Sequence, residues 1–108
     1  MEVVLLNPDQ LVLQFEATNI EDFDHLIWLE ERLAEDLGRD VEIDGHDFGR
    51  GEFNIFILAR EPVEVFERVK EPVGMHCRNE TFRAGYRAAG QEAYIVLWPP
   101  ELDKFEVA

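Results

Sequence analysis

The chain has 108 residues, of which 46% are hydrophobic, and it contains eight phenylalanines, two tryptophans and one cysteine. This composition suits the core of one domain, and it argues against two separate domains, intrinsic disorder or an internal disulfide. Ten basic residues against 24 acidic ones give a net charge of -14, which disfavours general binding to nucleic acids or anionic membranes.

A long first helix is the most periodic element of the sequence. Thr18 and Glu21 match a capping box, and Gly38 is typical of the position after a helix end. Apolar residues recur at helical spacing between them, which predicts a helix over 19–37. Its predicted apolar stripe comprises Ile20, Phe23, Ile27, Leu33 and Leu37, with Leu26, Trp28 and Leu29 beside it.

The rest of the pattern predicts five strands and a second helix. Alternating or wholly apolar runs bounded by turn residues place the strands at 11–17, 41–44, 53–59, 82–88 and 93–98. The first reads as half-buried, with residues 2–6 as a candidate hairpin partner, and the third is apolar on both faces, as central strands are. A second helix begins at Pro62 and ends at Pro72.

This order of elements predicts the fold class. We expect a single acidic α+β domain over 1–108 that is ferredoxin-like, with a β-α-β-β-α-β antiparallel sheet, one or two helices on one face and an extra strand. Residues 101–108 follow the last predicted strand and the two prolines that stop it, and we expect them to form a frayed tail.

Cysteine content and apolar runs indicate the compartment. Cys77 is the only cysteine, whereas short secreted domains usually carry several disulfides. Residues 1–6 contain a short apolar run that no basic region precedes, so we expect no signal peptide. The longest apolar runs, such as 55–59 and 93–98, are far shorter than the roughly 20 residues that cross a bilayer. The sequence therefore predicts a cytoplasmic protein.

Negative charge is concentrated in the first half of the chain. Residues 18–37 contain seven acids against Arg32 alone, whereas residues 76–100 contain three arginines against two glutamates. The polar side of the first helix is therefore predicted to be an acidic surface, unless the late arginines pair with it. The acids assigned to partner binding are Glu30, Glu31, Glu35 and Asp36.

The segment 44–52 holds the residues with metal-ligand or acid-base chemistry. Asp44, His46, Asp47 and Glu52 supply one imidazole and three carboxylates, and such groups bind divalent metals or act as general bases. Three glycines in the same segment equally suit a structural turn between strands. A structural connection, a recognition loop and a ligand-binding, metal-binding or enzymatic module therefore stay open, while no bound metal or cofactor is predicted.

Other catalytic arrangements find little support. The chain has no serine, which excludes a serine triad. His76 and Cys77 are adjacent, and adjacent side chains of an extended segment point apart, so we interpret Cys77 as an incidental thiol. Gly49-Arg50-Gly51 lacks the rest of a phosphate-binding loop. No catalytic residue is assigned.

Two runs resemble a group of small uncharacterised bacterial proteins. They are Asp44-Gly-His-Asp-Phe-Gly-Arg-Gly-Glu-Phe-Asn-Ile-Phe-Ile57 and Tyr94-Ile-Val-Leu-Trp-Pro99. The resemblance to this group implies no activity for particular residues. In size, acidity and layout the chain also resembles immunity proteins, which neutralise bacterial toxins.

Charge and resemblance together predict a non-catalytic protein-binding domain whose partner is a basic protein. Its most concrete form is an immunity-type inhibitor of a basic toxin such as a nuclease. The helix acids would steer the partner, and Trp28 or Phe48 would be the aromatic anchor. A position of Trp28 in the core is the competing interpretation. A homodimer through an exposed strand, with the last strand as the candidate, is a further alternative.

Overall fold

The computed structural model describes residues 7–38, 41–76 and 82–107, with the side chain of His76 excepted. In chain order the elements are β1 (Asp9–Glu16), α1 (Ile20–Asp36), β2 (Val41–Gly49), β3 (Glu52–Ala59), α2 (Pro62–His76), β4 (Arg83–Arg87) and β5 (Ile95–Trp98). The predicted strand at 2–6 and the predicted role of Cys77 fall outside the described residues. No described helix is long and apolar enough to cross a membrane.

The five strands form one antiparallel sheet in the order β2-β3-β1-β4-β5. β3 lies between β2 and β1, which explains why its sequence is apolar on both faces. The α+β class with two helices and an antiparallel sheet is confirmed. The five-stranded order differs from the usual ferredoxin-like order, and the predicted extra strand is β5, which lies at the edge beyond β4.

Both helices pack on the same face of the sheet. Alternate residues of β1, namely Leu11, Leu13 and Phe15, are buried in one cluster with residues of β3 and of both helices. From α1 the cluster receives Leu26, Leu29 and Leu33, and from α2 it receives Val65, Phe66, Val69 and Val73. Their burial removes apolar surface from water and is the main source of stability for the domain.

The other face of the sheet is covered by the C-terminal segment, residues 99–107. Phe105 is buried there, and its ring is close enough to Gly85 that a Cβ atom on that glycine would lie 2.6 Å from the ring. Residue Gln14 of β1 donates to the backbone oxygen of Glu106 at 3.0 Å. The segment is therefore packed through Phe105 rather than frayed, and β1 is buried on both faces rather than on one.

The helix boundaries correct two details of the sequence prediction. Asn19, not Thr18, is the N-cap of α1, and its side chain accepts a hydrogen bond from the Asp22 amide at 2.9 Å. Asp22 in turn accepts from the Thr18 amide at 3.1 Å, so Thr18 lies outside the helix. The second helix continues past Pro72 to His76 because the next residue, Val73, is fully buried in the core and holds the last turn.

Candidate functional site

The acidic side chains of α1 project from three different sides of the helix. Its core side consists of Leu26, Leu29 and Leu33, which are buried. On the opposite side, one stripe at spacings of three and four residues contains Ile20, Asp24, Trp28, Glu31 and Glu35. All five of these residues are exposed. We call them the outer stripe.

The outer stripe combines carboxylates with large apolar side chains. Trp28 is 42% exposed, so it is not part of the core, and its ring stacks on His25 with centroids 5.6 Å apart. Ile20, which the sequence pattern assigned to the buried stripe, is 76% exposed at the start of the helix. Exposed aromatic and aliphatic side chains bordered by charges are typical of the centre of a protein interface.

The two other acids assigned to partner binding face elsewhere. Glu30 points towards β2, where its carboxylate lies 3.0 Å from Nδ1 of His46. Asp36 is on the side of α1 that borders α2, and it pairs with Arg32 at 3.6 Å. The four predicted acids therefore do not form one patch: Glu31 and Glu35 lie on the outer stripe, and Glu30 and Asp36 flank it on opposite sides.

The contact between His46 and Glu30 links β2 to α1, and it lies beside a cluster of phenylalanine rings. The imidazole stacks on Phe53 with centroids 4.9 Å apart and an interplanar angle of 14°. The ring of Phe23 meets Phe53 and Phe48 edge-on at 5.6 and 5.2 Å. Phe48 itself is 47% exposed at the rim of this cluster. The arrangement orients one histidine and one carboxylate, and the described residues place no third His, Cys, Asp or Glu beside them that could complete a metal site.

The segment 44–52 is a strand and a tight turn rather than a long connection. β2 extends to Gly49, and only Arg50 and Gly51 form the turn to β3. Asp44 lies in a bulge between Ile43 and Gly45, and Gly45 has a φ of 113°. Glycine tolerates this conformation, which is why turn-forming residues occur here within a strand.

The candidate ligands of this segment are divided between the two faces of the sheet. His46 pairs with Ile55 in register and so faces the helices, whereas Asp47 pairs with Asn54 and faces the other side. Glu52 also faces that other side, where Arg83 lies 3.9 Å from its carboxylate. Residues 7–38, 41–75 and 82–107 contain no group of three His, Cys, Asp or Glu residues that could hold a metal ion. The geometry gives no support to a metal-binding or enzymatic module built on His46, Asp47 and Glu52.

The described late arginines do not pair with α1. Arg83 reaches Glu52, as above, and the Arg87 guanidinium lies 5.3 Å from the centroid of the Tyr94 ring. Within the described residues, no cation forms an ion pair with Asp24, Glu31 or Glu35. The carboxylates of the outer stripe therefore keep their charge uncompensated by this part of the chain.

Comparisons with known proteins add no relative: the chain matches no protein-family model, no curated protein and no solved structure. The candidate site consequently rests on its own geometry. Sequence reasoning missed Ile20 as an exposed residue, although its position four residues before Asp24 would have placed it on the acidic side. It also missed the Glu30–His46 contact, which depends on the packing of α1 against β2 and leaves no local signal.

Proposed function

We propose that this protein is a non-catalytic binding domain whose outer stripe docks a basic protein. Its most concrete form is an immunity-type inhibitor of a basic bacterial toxin such as a nuclease, acting in the bacterial cytoplasm. The observation that carries the proposal is the uncompensated charge of Asp24, Glu31 and Glu35 around the exposed side chains of Ile20 and Trp28.

The two kinds of side chain on the outer stripe have different roles in this proposal. The carboxylates attract a positively charged partner and raise the association rate, by about tenfold to a thousandfold for strongly complementary surfaces. Trp28 and Ile20 then supply the apolar area that is removed from water and slows dissociation. Catalysis by the partner stops because its cationic substrate-binding surface is occupied.

The test uses a set of purified nuclease domains from bacterial toxins, all with basic net charge. The full chain is added to each domain, and nuclease activity and association rate are measured. We expect stoichiometric inhibition of at least one domain, with an association rate that falls steeply as salt is raised, because salt screens exposed charges over about 10 Å at 0.1 M.

Two double variants test whether the outer stripe is the docking surface. The double variant Glu31→Lys, Glu35→Lys reverses the charge at two positions of the outer stripe. It should slow association about tenfold or more at low salt. Glu101→Lys with Asp103→Lys makes the same change in net charge on the exposed C-terminal segment and should leave the rate nearly unchanged. Equal effects of the two pairs, or a panel without a single inhibited domain, would count against the proposal.

Self-association through a strand edge is a second candidate, favoured by the position of β5. It is the outermost strand beyond β4, and its first residue, Ile95, is exposed. β2 is the other edge but carries Glu42, Asp44 and Asp47, which would repel the same strand of a second copy. Light scattering across a concentration series tests this candidate, and a mass that stays monomeric excludes it.

A further inference from the structure

The strand β2 lies at an open edge of the sheet. It has 9 residues, and within the described chain it pairs with β3 alone. The strand at the opposite edge, β5, has only 4 residues. An edge strand carries one row of backbone N–H and C=O groups that no neighbouring strand bonds, so a strand of another protein can pair with it.

The geometry of the β2–β3 hairpin determines which backbone groups of β2 point outward. Its turn consists of Arg50 and Gly51, whose φ values of 54° and 77° are both left-handed, as in two-residue hairpin turns. The residues that flank such a turn, here Gly49 and Glu52, exchange hydrogen bonds with each other. From this pair onward, bonded and non-bonded pairs alternate along the two strands.

This alternation leaves the backbone groups of Ile43, His46 and Phe48 pointing away from β3. It also turns the amide of Val41 outward, and Val41 indeed donates its N–H outside the sheet, to the Gly38 oxygen at 3.3 Å. No backbone bond of this kind involves the other three amides in the described part of the chain. They are the groups that an added strand would bond.

The side chains on the other face of β2 make this edge acidic. Glu42 and Asp47 pair in register with Leu58 and Asn54, which places both carboxylates on the face away from the helices. They and Asp44 are exposed, and no cation of the described residues forms an ion pair with any of the three. These charges repel a second copy of β2 and attract a strand that carries lysine or arginine.

Gly45 leaves open space on the same face, between the two carboxylates. It pairs in register with Phe56, which is half-buried, and a Cβ atom on Gly45 would meet no atom within 4 Å. A glycine within a strand often marks a place where another backbone or a ligand approaches closely. A large apolar side chain of an added strand can therefore reach across Gly45 and pack against Phe56.

We propose that the edge of β2 binds an extended basic segment of another protein as a sixth, antiparallel strand. Its residues on the face away from the helices follow the order basic, apolar, basic at alternate positions. The two basic side chains lie beside Glu42 and Asp47, and the apolar side chain lies over Gly45. The assigned direction is that of every other pair of strands in this sheet. This surface shares no residue with the outer stripe, so the inference goes beyond the docking proposed there.

The peptide acetyl-Thr-Lys-Thr-Leu-Thr-Lys-Thr-amide represents such a segment in an amide NMR titration of the full chain. We expect saturable shifts along β2. Amide hydrogen exchange at Ile43, His46 and Phe48 should slow by about tenfold or more at saturation, because strand pairing covers amides that were open to water.

Two modified peptides separate charge from backbone pairing. One replaces both lysines by glutamates and should not bind, because its charges face those of β2. The other carries methyl groups on the backbone nitrogens of the two threonines beside leucine, which can then no longer donate to β2. Absence of saturable shifts with the lysine peptide, shifts confined to the outer stripe, or equal exchange protection by the methylated peptide overturns the proposal.

Variants of the chain test the assigned carboxylates. Glu42→Gln with Asp47→Asn should weaken binding of the lysine peptide about fivefold at low salt, because both cross-strand ion pairs are lost. Glu101→Gln with Asp103→Asn removes the same charge from exposed positions of the C-terminal segment and should leave the affinity unchanged. Equal losses in the two double variants contradict the assignment.

A third double variant, Glu31→Gln with Glu35→Gln, distinguishes this surface from the outer stripe. It should leave the affinity for the lysine peptide unchanged while it slows association with a toxin domain. A loss of peptide affinity as large as that of the β2 variant would contradict the assignment to β2. Failure of the peptide to bind β2 leaves the outer stripe untouched, so the two proposals fail through different results.

Discussion

At the residue scale, the most constrained polar contact lies inside the sheet, away from the outer stripe. Gln14 and Asn54 are buried side by side on β1 and β3, and the Gln14 amide donates to Asn54 at 3.0 Å and to the Glu106 backbone oxygen at 3.0 Å. No buried side-chain nitrogen or oxygen of the described residues lacks a partner. Buried amides are tolerated here because each donor or acceptor is satisfied.

Replacing one member of this pair should lower the free energy of unfolding more than replacing both members. Asn54→Leu leaves the Gln14 amide short of an acceptor, and we expect it to lower the free energy of unfolding by about 1–3 kcal/mol. Gln14→Leu combined with Asn54→Leu removes the unsatisfied group and should lose less than the single Asn54 variant. Urea denaturation measures both values, and losses that simply add would contradict the role assigned to the pair.

Tyr94 gives the protein a pH dependence in the alkaline range. Burial raises the pKa of Tyr94 above its ordinary value of 10.0, and the positive charge of Arg87 partly offsets that rise. The folded state therefore holds the phenol proton more tightly than the unfolded state. This contribution to stability is complete below pH 10 and is lost as pH rises through the raised pKa.

Absorbance titration of the phenolate tests this prediction. The difference between the wild type and Tyr94→Phe isolates Tyr94 from Tyr86, the other tyrosine of the chain. We expect the Tyr94 midpoint above that of a free tyrosine, and Arg87→Gln should move it higher still, because the attraction that favours the phenolate is gone. A midpoint at or below the ordinary value would be inconsistent with a partly buried phenol.

At the element scale, the C-terminal segment is held by one close contact between Phe105 and Gly85. Gly85→Ala would place a Cβ atom 2.6 Å from the Phe105 ring, which must then move. We expect a loss of about 1–3 kcal/mol in the free energy of unfolding and faster proteolysis within 99–107. The loss should shrink when Phe105→Ala is already present.

The matched control for this substitution is Gly74→Ala in α2. An added Cβ meets nothing there, and alanine is favoured over glycine within a helix, so stability should rise by about 0.5–1 kcal/mol. Urea denaturation measures the two glycine variants. Similar effects of both on unfolding would show that the Phe105 contact does not secure the segment.

The elements differ in how much of their structure could be predicted from sequence. Helical spacing and the apolar run of β3 are local patterns, and they predict α1 and β3 to within one residue at each end. The sequence places the N-cap one residue too early, because Thr18 and Asn19 are both good capping residues. The sequence predicts β2 too short, because its glycines, aspartates and histidine are also turn residues and a bulge keeps them within a strand.

Contacts between distant residues account for what the sequence could not predict. The burial of Phe105 depends on Gly85, and the Glu30–His46 contact depends on how α1 crosses β2. The stripe of Asp24, Trp28, Glu31 and Glu35 has regular helical spacing and could have been identified beforehand. The division of His46 and Glu52 between two faces required the register of the β2–β3 hairpin.

At the scale of the whole molecule, charge is distributed unevenly over two opposite sides. The outer stripe carries carboxylates that have no cationic partner in the described chain, while a cleft beside the C-terminal segment, on the far side of the sheet, combines three cations with three carboxylates. The net charge of -14 is therefore not spread evenly over the surface of the protein. We expect the negative potential to be strongest along the outer face of α1, where we propose that a basic protein docks.

Relaxation of amide protons by charged nitroxide probes measures that potential residue by residue. A cationic and an anionic nitroxide of the same size are added separately to the full chain at low salt. We predict that the ratio of cationic to anionic enhancement is highest at Asp24, Trp28, Glu31 and Glu35, is lowest around Arg50 and Tyr94, and flattens at high salt. A ratio along α1 no higher than elsewhere on the surface would contradict the account.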